Sequence, residues 1–71
     1  MSQNEMVLNH LRRAGSITQM EAIDRYGITR LGARIFELKQ RGHNITRTME
    51  QARNRYNAPT HFARYYLEEQ Q

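Results

Sequence analysis

Apolar residues in the first forty positions recur at helical spacing, and each run is bracketed by capping residues. Val7, Leu8, Leu11 and Ala14 share one helical face. Ahead of them, Ser2-Gln3-Asn4-Glu5 has the S-x-x-E form of a capping box, in which hydroxyl and carboxylate each satisfy a backbone N–H left unpaired by the first turn. Met1 and Met6 stand at the positions of a hydrophobic staple, Arg12 and Arg13 lie where the macrodipole favours cations, and Gly15 is placed as the stop. The pattern predicts a first helix over residues 3–14. Thr18-Gln19-Met20-Glu21 repeats the box, with Ile17 and Ala22 as staple and Gly27 as stop, and predicts a second over 19–26. Only Ile28 separates Gly27 from Thr29, a suitable N-cap for a third helix over 30–41. Leu31, Ile35 and Leu38 line its inner face and Gly42 ends it.

Beyond Gly42 the period shortens to two. Ile45, Arg47 and Met49 alternate with Thr46, Thr48 and Glu50, which predicts a strand over 44–51. A second run over 60–67 places Ala63, Tyr65 and Leu67 on one face. Between them, Asn54-Arg55-Tyr56-Asn57 offers asparagines that tolerate the left-handed conformation of a hairpin loop, and Pro59 suits the mouth of an edge strand. The second and third helices, joined by Gly27-Ile28-Thr29, form a helix-turn-helix. The whole reads as one α+β domain over 1–71, a winged helix-turn-helix of three helices followed by a two-stranded β-hairpin wing.

Composition narrows the function. The chain has 71 residues, and at that size about 60% of the unfolded surface is buried, too small a core for a large enclosed active site. Cysteine is absent, which excludes disulfides and thiolate zinc sites and fits a reducing cytoplasm. No apolar run approaches the roughly 18 residues of a membrane span, and the N-terminal stretch lacks the basic and apolar regions of a secretory leader. His10, His43 and His61 are scattered, without the i,i+4 pairing of a metal site, and read as surface or turn residues. No P-loop, nucleophile elbow or H-E-x-x-H motif occurs. No enzyme activity, cofactor or metal is expected, and Glu68-Glu69-Gln70-Gln71 reads as a frayed tail.

The segments GITRLGARIFELKQRGHNI and NRYNAPTHFARYYL resemble the small winged helix-turn-helix domains common in phages and prophages. Gly27-Ile28-Thr29, Leu31, Ala33-Arg34-Ile35, Leu38, Gly42, Ile45, Ala63-Arg64-Tyr65 and Leu67 carry the resemblance, which spans nearly the whole chain. It implies a DNA-binding regulator. Two positions depart from it: Asn57 replaces the usual wing-tip glycine, and Pro59 is expected to shorten the pairing of the last strand.

Charge supports an anionic partner. Ten arginines and one lysine face seven acidic groups, giving a formal charge of +4. Residues 1–40 carry six basic and four acidic groups, residues 41–66 five arginines against Glu50 alone, and residues 67–71 two glutamates. The wing therefore holds an excess equal to the whole net charge. Arg53 and Arg55 at its tip suit phosphate or the minor groove, or else a merely solvated loop. With Leu31, Ile35 and Leu38 inward, the outer side of the third helix presents Thr29, Arg30, Ala33, Phe36, Glu37 and Gln40, with Arg34 and Arg41 on a shoulder. In a major groove Ala33 permits close approach, Arg30 or Arg34 addresses guanine, Glu37 accepts from cytosine, and Gln40 or Thr29 bonds adenine or phosphate. Arg30 could instead pair with solvent or Asp24. Phe36 is either buried against the wing or a contact residue. Arg12, Arg13 or the start of the second helix at Thr18 and Gln19 would clamp phosphate.

The expected partner is double-stranded DNA, bound by a transcription regulator or architectural factor in the cytoplasm of a bacterial host, at its nucleoid, with no role for a membrane. A lone module covers about 600–1,000 Å² of DNA, so specificity requires a homodimer, tandem binding or a protein partner. The alternative is a protein-binding winged helix, an inhibitor or adaptor of a host enzyme or defence complex, docking through Phe36, Tyr56 and the strand edge. Convergence of Arg30, Arg34, Arg53 and Arg55 on one strip would favour DNA, and an apolar patch around Phe36 would favour protein.

Overall fold

In the computed structural model, which describes residues 1–69, the element order is α1 (Gln3–Ala14), β1 (Ser16–Thr18), α2 (Gln19–Tyr26), α3 (Leu31–Gln40), β2 (Ile45–Arg53) and β3 (Pro59–Leu67). Both capping boxes close as their sequences require: the Ser2 and Thr18 hydroxyls accept the N–H of Glu5 and Glu21, and those carboxylates accept the N–H of Ser2 and Thr18. Gly15 and Gly27 follow α1 and α2 at φ 87° and 68°, the left-handed region that a side chain would strain. Val7, Leu11, Ile17, Ala22, Ile28, Leu31, Ile35, Leu38 and Ile45 form the buried core, flanked by Met6, Leu8, Tyr26, Tyr65 and Leu67.

The wing is not a two-stranded hairpin. β1 joins it to make a three-stranded antiparallel sheet of order β1-β3-β2, with Ile17 opposite Tyr65. Three residues are too few to show alternation in a sequence, and the same residues also serve as staple and cap for α2. The third helix starts one residue later and ends one earlier than its pattern suggests, and Thr29 does not cap it. The N-cap is Arg30, whose side chain makes no capping bond. Gln19 does that work from α2: its Oε1 accepts the Leu31 N–H at 3.0 Å and its Nε2 donates to the Ile28 carbonyl at 2.7 Å.

Pro59 does not shorten the wing. It pairs in register with Arg53, and the ladder runs unbroken from there to Ile45 opposite Leu67. Asn54 N–H donates to Ala58, so with alternation the backbone groups of position 59 point away from β2, where a missing N–H costs nothing. Asn57, at φ 62°, takes the place of the wing-tip glycine.

Four expectations change at the surface. Met1 is exposed and does not staple Met6, and Ala14 is also exposed, whereas Asn4 and His10 are buried on the inner side of α1. His10 is thus not a surface histidine. Glu68 and Glu69 are tied down rather than frayed: Glu68 N–H donates to Asn44 and its carboxylate accepts from Thr46 Oγ1, while Glu69 pairs with His43 and Arg12. Gln70 and Gln71 lie outside the described residues. Among the described residues, no helix is long and apolar enough to cross a membrane.

Candidate nucleic-acid interface

The buried residues Leu31, Ile35 and Leu38 set the phase of α3. At about 100° per residue, Gly32, Phe36 and Lys39 fall on one flank, Ala33 and Gln40 on the outward ridge, and Arg30, Arg34, Glu37 and Arg41 on the opposite flank. The first flank faces the wing, where Gly32, Phe36 and Lys39 meet Arg47 and Tyr65 around an open cleft of about 310 Å³. The other faces α1. There Arg34 Nη1 donates to Gln3 Oε1 at 3.3 Å, and its Nε lies 3.0 Å from Glu37 Oε1, an ion pair without hydrogen-bond alignment.

The hairpin has two chemically distinct faces, because side chains alternate along each strand. Arg47, Met49, Gln51 and Arg53 continue the side on which Ile45 is buried, opposite Tyr65, Ala63, His61 and Pro59. Among the described residues this face of the hairpin carries no carboxylate. Glu50 projects from the other face, where Arg64 Nε donates to its Oε1 at 2.9 Å and the Tyr66 hydroxyl to its Oε2 at 3.3 Å. Arg64 also donates to Ser16 Oγ at 3.2 Å and lies 3.6 Å from Glu21 Oε1. The Glu50 hydrogen bond raises the Arg64 pKa above its ordinary value. Arg64 thus locks the wing to β1 and α2, and its charge is answered within the fold.

The tip is braced by its own polar groups. Asn54 Oδ1 accepts the N–H of Tyr56 at 2.9 Å and of Ala58 at 3.1 Å, and Asn57 N–H donates to Asn54 O at 2.9 Å. Arg53 Nη1 donates to the Asn57 carbonyl at 2.8 Å. Arg55 and Tyr56 are left exposed at the apex.

The residues singled out in the sequence therefore divide. Arg53 and Arg55 stand on the wing, Ala33 and Gln40 on the outward ridge, and Arg30 and Thr29 are exposed at the start of α3; no ion pair joins Arg30 to Asp24 among the described residues. Arg30 and Arg34 are on the flank turned from the wing, so the four arginines do not form one strip. Thr18 is buried and occupied by its capping box, and both ends of the Gln19 carboxamide are bonded to the α2–α3 turn. Phe36 is 60% exposed. Sequence reasoning missed Lys39 and Arg47, which line the cleft between α3 and the wing. The signal was present: Arg47 is two residues from core-facing Ile45, and Lys39 is three from Phe36.

Among the described residues no cluster of His, Asp and Glu is arranged to hold a metal ion. The sequence model of one family, described as a winged helix-turn-helix domain, matches residues 2–70. No curated protein and no solved structure gives a significant match.

Proposed function

We propose a function from this premise: the chain belongs to the winged helix-turn-helix domain family, whose fold suggests DNA binding and is generally non-enzymatic. Our reading is a sequence-specific binder of double-stranded DNA, acting as a phage-type transcription regulator or architectural factor in the bacterial cytoplasm. In it α3 enters the major groove, with Ala33 and Gln40 at the base edges and Arg30, Arg34 and Glu37 to one side. Arg53 and Arg55 follow the backbone or adjacent minor groove, and Lys39 and Arg47 bridge the two. The observation that carries this reading is charge segregation: the α3 side of the wing presents Arg47 and Arg53, while Glu50 is held on the opposite face by Arg64. Thr29 is left to a phosphate, and Thr18 and Gln19 contribute by shaping the turn.

A protein-binding role is the second reading, favoured by Phe36 and Met49, each 60% exposed, and by Arg30 and Arg34 standing apart from the wing arginines. Titration of labelled duplex at several salt concentrations separates the two. Replacing Arg53 and Arg55 by alanine is expected to weaken binding to all duplexes and lower the salt slope by about one to two, and Arg47→Ala by about one. Arg30→Ala should cost about 1–3 kcal/mol, chiefly on the preferred site, which selection from a random duplex pool would identify. Failure of the parent protein to bind any duplex would overturn the reading.

A further inference from the structure

β2 is an outer strand of the sheet, and its backbone edge is open. The other outer strand, β1, is three residues long, whereas β2 runs for nine, with no proline and no bulge in its register, and residues 46–49 and 51–53 are exposed. Edges of this length are ordinarily blunted, because a row of unpaired N–H and C=O groups recruits another strand. Asn54 N–H donates to Ala58 O, and Asn44 O accepts from Glu68 N–H. By alternation, the even-numbered residues of β2 bond to β3, and Ile45, Arg47, Met49, Gln51 and Arg53 turn their backbone groups to the open edge.

We propose that this edge pairs with β2 of a second copy of the chain, antiparallel and centred on Met49, giving a continuous six-stranded sheet. The strand is self-complementary in that register. Met49 meets Met49 of the second copy, Arg47 meets Gln51, Ile45 meets Arg53, and on the reverse face Thr48 meets Glu50. Every outward residue opposes another outward residue, so the whole edge is satisfied. Only registers centred on a residue keep the two faces continuous, and the neighbouring ones are worse. Centring on Glu50 sets that carboxylate against itself and Arg47 against Arg53, like charges directly opposed. Centring on Thr48 shortens the overlap to residues 45–51. The pairing also explains why Met49, a large apolar side chain, stands 60% exposed in the middle of the strand. Its two-fold axis is normal to the sheet, so both α3 helices and both cationic faces lie on one side, as a two-fold symmetric ligand requires. The proposal stands or falls on association of the protein alone, independently of DNA.

Each copy carries +4, so association is measured by sedimentation equilibrium in about 0.5 M salt, where repulsion is screened. A monomer–dimer equilibrium is expected. Because the chain has no cysteine, Met49→Cys introduces a lone thiol. Opposed residues of a bonded antiparallel pair have Cα atoms about 5.5 Å apart, within reach of a disulfide, so this variant should cross-link on oxidation. Gln51→Cys would lie about 14 Å from its copy along the strands and should not. Met49→Pro removes only an outward N–H and should leave the circular dichroism spectrum unchanged while abolishing the dimer. A parent protein monomeric throughout, equal cross-linking at 49 and 51, or a folded Met49→Pro that still dimerises would each overturn the proposal.

Discussion

His10 shows how one side chain acquires a property that its sequence neighbours do not announce. It is buried, and its Nδ1 lies 2.7 Å from the Tyr26 hydroxyl, which also accepts from Arg13 Nη2 at 3.0 Å. A neutral imidazole with its proton on Nε2 can accept the phenolic O–H at Nδ1 while the phenol oxygen takes the Arg13 bond. Burial, first among the causes, pushes its pKa below the ordinary 6.5. The unfolded chain therefore takes up a proton first as pH falls below about 6.5, and stability declines from there until the folded pKa is passed. Urea midpoints should drop between pH 7 and 5, and His10→Gln should flatten that slope even though it lowers stability overall. Glu5 does not interfere: its pKa is lowered by hydrogen bonds from Ser2, so its stabilisation is lost only as pH falls below its unfolded value, about 4.3. Helical spacing puts His10 on the face of Val7 and Leu11, and what the sequence concealed is its partner, Tyr26, sixteen residues away. Local periodicity carries no information about that contact.

At the scale of elements, legibility follows the range of the interactions. The two capping boxes, the left-handed glycines and the alternation of β2 are local, and the residues declared them. β1 and the start of α3 depend on distant partners, Tyr65 in one case and Gln19 in the other, and neither could be read from adjacent residues. This contrast can be measured. Gln19→Ala strands the Leu31 N–H and the Ile28 carbonyl, and should cost about 1–2 kcal/mol in urea denaturation. Thr29→Ala, at the position that looks like the cap, should cost much less, since that residue is exposed and no capping bond comes from it.

For the whole molecule, the sequence located the positive excess in the wing but could not say which face would show it. Strand phase decides that: Arg47 and Arg53 emerge beside α3, and Arg64, one of the same five arginines, turns to the other side and bonds Glu50. Arg64→Ala should therefore destabilise the fold by about 1–2 kcal/mol and leave the salt slope of duplex binding nearly unchanged. Arg47→Ala should do the reverse, with little effect on the denaturation midpoint. The braced wing tip has a different bearing. Asn54, Asn57 and Arg53 fix the apex through bonds internal to the hairpin, so the loss of conformational entropy at that loop is incurred during folding. An encounter with a partner then meets a surface already in shape, and the ordering cost that a slack loop would add to each binding event is avoided.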